Sequence, residues 1–158
     1  MADIDRAFAN VAKLFKINDF NEHQKTAILT IVEENSDLFV NLPTGFGKSL
    51  IFQAIPLIFD CLRMDNQGHI VVVVSPLINL ITDQVSYLQG LGITAINISG
   101  IEDEGERKEV EKGSFQVVYG TPEAWLLNER WRNMLKNSTY TSKLCAVAVD
   151  EAHVIKQW

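Results

Sequence analysis

A short glycine-containing loop at residues 44–49 constrains the fold of this chain more than any other segment. It follows an apolar run at 38–40 and precedes the apolar residues 50–52 of an expected helix. Its residues are Thr44, Gly45, Phe46, Gly47, Lys48 and Ser49. A strand, a turn and a helix N-terminus in this order point backbone N–H groups at a phosphate, and glycines permit the positive φ angles that such a turn requires.

Lys48 and Ser49 predict what this loop binds. A lysine ammonium at this position contacts β- and γ-phosphates, and the hydroxyl that follows it holds a Mg²⁺ ion. The pattern departs from the full signature at one place, because Leu42 occupies the position of the first glycine. We therefore expect a site for a nucleoside triphosphate with Mg²⁺, the alternative being a loop that only turns the chain.

Composition narrows the class of protein. The chain has 158 residues, 47% of them hydrophobic, which is enough for the core of about one domain. It has no apolar run of 18 residues or more and no secretory signal, so we expect an intracellular protein that does not span a membrane. The two cysteines have no metal-ligand spacing and are expected to be free thiols. A net charge of −6 argues against nucleic-acid binding through bulk charge, but not against a local contact surface.

Hydrophobic periodicity predicts an alternation of helices and strands. Lead-in helices are expected at 4–15 and 22–34, the second capped by Asn21. Further helices are expected at 48–63, 78–89, 102–112 and 122–136, and buried strands at 70–74, 95–98, 115–119 and 146–149. In the charged helix we expect ion pairs from Asp103 to Arg107 and from Glu104 to Lys108. The alternation predicts an α/β fold with a doubly wound, mainly parallel sheet.

The last predicted strand ends in a second group of polar residues, Asp150-Glu151-Ala152-His153. Ligands of α/β folds bind at the carboxyl ends of strands. One carboxylate, Asp150, suits a Mg²⁺ coordination shell, and Glu151 suits the activation of an attacking water. The alternative role of such a pair is a helix N-cap with a first-turn acid.

Together these segments resemble the RecQ family of ATP-dependent DNA helicases, within the DEAH-box helicases of superfamily 2. Residues 42–50 resemble motif I, residues 74–78 with 83–85 motif Ia, residues 119–123 motif Ib, and residues 150–158 motif II with the aromatic-rich loop that follows it. Residues 15–24 resemble motif 0, with Phe20 and Gln24 in place but Ile17 and Asn21 departing from the family pattern. The resemblance covers the chain from about residue 10.

The resemblance implies a RecA-like P-loop NTPase domain over residues 1–158, truncated before motif III. Residues 44–49 and Gln24 would bind ATP, with Gln24 reading the base edge, and Ser49 and Asp150 would hold Mg²⁺. Lys48, Asp150 and Glu151 would be catalytic. A second RecA-like domain would be the missing partner, so these residues alone are expected to be inactive.

The resemblance also implies contact with DNA, single-stranded or forked, and a nuclear location in a eukaryote. Ser75, Thr121 and Pro122 would lie on the DNA face, although helix capping and a first-turn proline are their alternative roles. Trp158 would stack on a base or belong to the core. His153 would couple the nucleotide to the DNA, or be a buried imidazole.

Two other functions remain open from the sequence. The chain could be a non-catalytic nucleotide-binding or adaptor protein that keeps half of a motor. It could also belong to an RNA helicase of the DEAD/DEAH type, since the DEAH box does not separate the two substrates. If the chain belongs to a RecQ-like helicase, the family resemblance implies that the whole protein translocates on single-stranded DNA in the 3′ to 5′ direction.

Overall fold

The computed structural model describes residues 3–34, 47–63 and 68–150. The chain divides into two compact units, Met1–Gln67 and Gly68–Trp158. The loop residues 44–46 and the segment 151–158 lie outside the described residues. The predicted strand at 38–40 lies outside them as well.

Helices make up the described part of the first unit. They are α1 (Asp3–Leu14), α2 (Glu22–Glu34) and α3 (Lys48–Arg63), which confirms the three helices predicted there. Both α1 and α2 pack against α3. The apolar face of α1 contributes Phe8 and Val11 to the interior, and the Phe8 ring meets Phe20 edge-on at 5.5 Å between centroids. Helical spacing of apolar residues therefore buries one face of α1.

A sheet of four parallel strands forms the centre of the second unit. Its strands in the described residues are β1 (Ile70–Val74), β2 (Ala95–Asn97), β3 (Val117–Gly120) and β4 (Leu144–Val149). They lie in the order β2-β3-β1-β4, with Val72 opposite Val118 in β3 and Val147 in β4. The uniformly apolar sequence of β1 is explained by its central position, where both faces are covered.

Helices cover the two faces of this sheet. They are α4 (Ile78–Gly90), α5 (Glu104–Glu111), α6 (Pro122–Leu127), α7 (Glu129–Met134) and α8 (Ser138–Lys143). One face carries Val72 and Val118, which belong to a core with Trp125, Trp131 and Tyr140 from α6, α7 and α8. Helix α4 packs against β2 and β3, and its Gln84 meets Tyr119, whose side chain points to the opposite face. The structure thus confirms the predicted doubly wound, parallel α/β fold.

The single helix predicted at 122–136 is wrong, because Asn128 divides it. Asn128 adopts an extended conformation (φ −95°, ψ 111°), and its side-chain oxygen accepts hydrogen bonds from the Arg130 and Trp131 N–H groups. It therefore ends α6 and caps α7. Helix α8, which the sequence analysis did not predict, is capped in the same way by Asn137.

The ion pairs of the charged helix α5 differ from those predicted. Arg130 of α7 donates to both carboxylate oxygens of Glu104 and to Glu111, at 2.6–2.9 Å. The hydrogen bond from Arg130 lowers the pKa of Glu104. Asp103 instead caps α5 by accepting from the Glu106 N–H, and Arg107 donates to the Ile101 carbonyl. A contact with the distant Arg130 and two local bonds to backbone groups have thus replaced the expected i,i+4 pairs.

Within the described residues, no helix combines the length and the apolar character needed to cross a membrane. The longest of these helices is α3, at 16 residues. Helix α3 also continues through Pro56.

Gly120 at the end of β3 is a position where only a glycine fits. A Cβ atom there would lie 2.6 Å from Trp125 Nε1 and 2.9 Å from Ile98 Cγ1. We expect Gly120→Ala to lower the free energy of unfolding by about 1–3 kcal/mol through overpacking. Gly90→Ala is the matched control, because a Cβ there meets nothing within 4 Å, and we expect it to be neutral or stabilising. Urea unfolding of both variants measures the difference, and equal effects would contradict this account.

Candidate nucleotide and nucleic-acid site

Polar residues follow all four strands at the carboxyl edge of the sheet. In the spatial order of the strands, they are Ser99 after β2, Thr121 after β3, Ser75 after β1 and Asp150 after β4. Parallel strands bring their carboxyl ends to the same edge, which is where ligands of α/β folds bind. The structure therefore brings Ser75, Thr121 and Asp150, which the sequence predicted as site residues, to one edge.

Backbone hydrogen bonds extend the sheet into these residues. The Ser75 N–H donates to the Gly120 carbonyl at 3.0 Å, and the Asp150 N–H donates to the Val74 carbonyl at 2.8 Å. Such bonds fix the position of each residue relative to its neighbouring strand. Asp150 is consequently tied by its backbone to β1, the strand that ends at Val74 and is followed by Ser75.

Ser99 is a residue of this edge that the sequence analysis missed. Its hydroxyl accepts from the Thr121 N–H at 3.0 Å and donates to the Thr121 hydroxyl at 3.3 Å. Ser99, Thr121 and Ser75 together are called the hydroxyl row below. The available signal was its place directly after the predicted strand 95–98, the same relation that Ser75 has to the predicted strand 70–74.

Thr121 and Pro122 also have the structural roles that the sequence left open. The Thr121 hydroxyl accepts from the Ala124 N–H at 3.2 Å and caps α6, while Pro122 occupies the first turn. Thr121 is 8% exposed and Ser75 is 1% exposed, so little of either surface reaches solvent. Ser99 is more accessible and forms the open end of the hydroxyl row.

A groove of about 390 Å³ begins at this open end. Its lining includes Gly100, the polar residues Ser99, Thr121, Glu123 and Asn128, and the apolar residues Ile98, Ala124, Leu127 and Trp131. Leu127 is 77% exposed. The groove therefore combines hydroxyl groups at one end with an open apolar surface.

Two side-chain hydrogen bonds support the carboxyl edge of the sheet, one on each face. The Tyr119 hydroxyl donates to the Gln84 side-chain oxygen at 2.6 Å, which joins β3 to α4. On the opposite face, the Trp125 indole N–H donates to the Val73 carbonyl at 3.3 Å. Both side chains come from segments that flank the hydroxyl row, so its position depends on the core.

The first unit holds the described part of the phosphate loop. Gly47 has φ +71°, as predicted for a glycine of this loop, and directly precedes α3. Its carbonyl accepts from the Leu50 N–H at 3.2 Å and from the Gln24 side-chain amide at 3.3 Å. Lys48 and Ser49 lie in the first turn of α3, where the helix N-terminus favours a bound anion.

Gln24 is the second predicted nucleotide-binding residue of this unit. Its side-chain oxygen accepts from the Asn21 N–H, and its own N–H donates to the Asn21 side chain, both at 2.9 Å. This reciprocal pair is a capping box, and it confirms Asn21 as the N-cap of α2. The structure therefore brings Gln24 together with Gly47.

Several predicted site residues lie outside the described residues. They are Thr44, Gly45, Phe46, Glu151, His153 and Trp158. Of the two predicted metal-binding residues, Ser49 belongs to the first unit and Asp150, which is 4% exposed, to the second. Among the described residues, no group of three or more histidine, cysteine, aspartate or glutamate side chains is placed so that it could hold a metal ion. Hydroxyl and carboxylate oxygens are nevertheless the ligand types that Mg²⁺ prefers.

The fold and the two groups of residues define a class of protein. A parallel α/β sheet with carboxylate and hydroxyl residues at its carboxyl edge, in a chain with a phosphate loop before a helix, is consistent with a RecA-like helicase domain. The family model described as DEAD/DEAH box helicase matches residues 21–158. The chain belongs to this family.

Curated relatives are similar over nearly the whole chain. A putative ATP-dependent DNA helicase Q1 of Caenorhabditis briggsae is 34% identical over 98% of this chain and 24% of its own length. The ATP-dependent DNA helicase Q5 of Rattus norvegicus is 32% identical over 97% of this chain and 16% of its own length. The ATP-dependent DNA helicase RecQ of Haemophilus influenzae is 32% identical, with coverages of 96% and 23%. The predicted resemblance to RecQ helicases is confirmed, and the chain spans about a quarter or less of these relatives.

Thr121 offers a direct test of the capping contacts at the edge. Thr121→Ala removes the acceptor for the Ala124 N–H, and we expect it to lower the free energy of unfolding by about 1 kcal/mol. Thr121→Ser keeps the hydroxyl and is the matched control, expected to change stability much less. Urea unfolding with an unchanged m value measures both. A loss for the serine variant as large as for the alanine variant would show that the methyl group, not the cap, matters.

Proposed function

We propose that this chain is the ATP-binding and DNA-contacting first RecA-like domain of a RecQ-like ATP-dependent DNA helicase. The observation that carries the proposal is the backbone bond from Asp150 to Val74, because it ties the carboxylate after β4 to the strand that leads into Ser75. A nucleotide ligand at Asp150 and a DNA ligand at the hydroxyl row would thus act on adjacent strands. Family membership and the names of the relatives support the same function.

On this proposal, the phosphate loop and the DEAH box bind Mg-ATP. Lys48 would contact the β- and γ-phosphates from the first turn of α3, and Ser49 and Asp150 would hold the Mg²⁺ ion. The ion would neutralise charge on the phosphate oxygens. Glu151 would accept a proton from the attacking water. The positive φ of Gly47 and the helix that begins at Lys48 fit a bound phosphate.

Ser99, the accessible member of the hydroxyl row, would contact a phosphate of single-stranded DNA, with Thr121 and Ser75 behind it at the same edge. Hydroxyl and backbone N–H groups commonly position nucleic-acid phosphates without reading sequence. The groove that begins at Ser99 would receive the adjoining nucleotide against Leu127, and Trp158 would stack on a base. The relatives are named DNA helicases, which favours DNA over RNA as the substrate. By its resemblance to the histidine of the DEAH box in RecQ helicases, His153 would couple the nucleotide to the DNA.

Two variants separate nucleotide binding from turnover. Lys48→Ala removes the ammonium that would contact the triphosphate, and we expect loss of measurable Mg-ATP binding. In a protein that also includes the second RecA-like domain, Glu151→Gln keeps the shape of the side chain but cannot accept a proton, so we expect nearly unchanged binding and loss of ATP hydrolysis. Calorimetric titration and a phosphate-release assay, with and without single-stranded DNA, measure the two effects.

Lys136→Ala is the control for the loss of one positive charge, because Lys136 is an exposed residue of the turn after α7. Unchanged ATP affinity in Lys48→Ala would remove the phosphate loop from the proposal. Loss of binding with retained turnover in Glu151→Gln would exchange the roles of Asp150 and Glu151.

The hydroxyl of Ser99 is the most direct test of the DNA contact. We expect Ser99→Ala to weaken single-stranded DNA binding about tenfold, the size of one hydrogen bond to a charged group. Ser99→Thr keeps the hydroxyl and should bind normally, and Ser142→Ala, at an exposed position of α8, is a control for losing a serine elsewhere. Fluorescence anisotropy with a labelled oligonucleotide measures the affinities. Equal binding by wild type and Ser99→Ala would place the DNA elsewhere.

A further inference from the structure

Arg107 of helix α5 is tied to the turn that carries Ser99. Its Nε donates to the Ile101 carbonyl at 3.0 Å, and its Nη2 donates to the same oxygen. Ile101 lies two residues beyond Ser99 and packs, partly buried, against the core of the second unit. Two donors of one guanidinium therefore hold the residue at which the chain leaves this turn.

The turn spans residues 98–101, and its closing bond is weak. The Ile101 N–H donates to the Ile98 carbonyl at 3.5 Å, which is longer than the usual range for such a bond. Gly100 has φ +81°, which matches the third residue of a type II turn. A Cβ atom at this glycine would meet nothing within 4 Å. The exit of the turn therefore depends on contacts made outside it.

The entry of the turn is held by the sheet. The Ile98 N–H donates to the Tyr119 carbonyl at 2.8 Å, which extends the pairing of β2 with β3. The Ser99 N–H donates to the Asn97 side chain at 2.9 Å. The sheet thus fixes the turn at Ile98, and α5 fixes it at Ile101. Because Ser99 lies between these two attachments, the position of its hydroxyl depends on both.

Helix α5 is itself anchored to another part of the groove. Arg130 of α7 donates to Glu104 and Glu111, which lie at the two ends of α5, at 2.6–2.9 Å. Helix α7 also supplies Trp131 to the lining of the groove. Arg107 therefore links the turn, through α5, to a helix that lines the same groove.

We propose that Arg107 is a positioning residue for DNA binding, because its hold on the Ile101 carbonyl places the Ser99 hydroxyl for contact with a phosphate of a single strand. The inference rests on the proposed DNA contact at Ser99. A turn held in its binding conformation raises affinity by lowering the cost of ordering it when the ligand binds. The other role of an arginine beside a nucleic-acid site is a direct ionic contact with a phosphate. The two roles differ in how they depend on Ser99 and on salt.

A double-mutant cycle between Arg107 and Ser99 tests the dependence on the hydroxyl. Arg107→Met keeps much of the apolar stem and removes both donors, and we expect it to weaken single-stranded DNA binding about 3- to 10-fold. In a protein that already carries Ser99→Ala, the same substitution should change affinity less than about twofold, because its effect passes through the missing hydroxyl. Fluorescence anisotropy with a labelled oligonucleotide measures the wild type, both single variants and the double variant.

The salt dependence of binding separates positioning from direct contact. Loss of one phosphate contact reduces the slope of log K against log[salt] by about 0.7 for a single strand, and we expect Arg107→Met to leave this slope unchanged. Lys108→Met is the matched control, because it removes one positive charge from the exposed neighbouring residue of α5. It should change affinity less than about twofold.

Arg107→Lys is the conservative variant. It keeps the charge but replaces the two donors that meet the Ile101 carbonyl with a single ammonium, so we expect a loss of about 2- to 3-fold that also disappears when Ser99→Ala is present. Circular dichroism checks that each variant folds. If Arg107→Met does not fold, the cycle with Arg107→Lys decides by the same criterion.

Four results would overturn the inference. Equal losses on substitution of Arg107 with and without the Ser99 hydroxyl would show that the two residues act independently. A slope reduced by about 0.7 would make Arg107 a phosphate ligand. An equal loss in Lys108→Met would assign the effect to charge. Unchanged affinity in the Arg107 variants, together with weakened binding in Ser99→Ala, would make the Ile101 contact irrelevant and leave the proposed DNA contact intact.

Failure of the proposed DNA contact has a different signature. If the wild-type protein does not bind the oligonucleotide, or if Ser99→Ala binds it as well as the wild type, the contact at Ser99 is refuted. The role of Arg107 is then refuted with it.

Discussion

Backbone pairing at the carboxyl edge of the sheet is the constraint on which the site in the second unit depends. Each strand is followed within two residues by one position of the candidate site, and bonds such as Ser75 to Gly120 and Asp150 to Val74 continue the ladder into those positions. The backbone of a residue placed in this way is held in position by the same hydrogen-bond ladder that holds the strand before it. The core on either face then supports the edge, through Trp125 on one side and Gln84 on the other.

Local patterns in the sequence predicted most of this fold. The uniformly apolar run at 70–74 is a central strand with the predicted bounds, and the apolar helix at 48–63 is α3. Asn21 is recognisable as a cap because its partner, Gln24, lies three residues away. Features of this kind depend on neighbours in the sequence, so their signal is visible without the fold.

The errors have a common physical cause. Asn128 sits within an apolar period that continues on both sides of it, so periodicity does not show the break between α6 and α7. Arg130 pairs with Glu104, 26 residues away, and not with a neighbour on its own helix. Ser99 belongs to the candidate site because its hydroxyl accepts a hydrogen bond from Thr121, which follows the adjacent strand β3. In each case the deciding contact is made in the folded chain. The contact of Gln24 with Gly47 is of the same type, although a family resemblance indicated both residues.

The groove beside the hydroxyl row is lined by few ionisable side chains, which affects how DNA binding there would depend on salt concentration. Among the described residues, its lining includes one ionisable side chain, Glu123, and the chain as a whole carries a net charge of −6. DNA binding that depends on lysine and arginine releases condensed counterions and weakens steeply as salt rises. Contacts through hydroxyl and N–H dipoles displace few of these ions. A single DNA strand bound at this edge would therefore gain little affinity from the release of counterions. If DNA binding by the whole protein depended steeply on ionic strength, that dependence would originate in other segments.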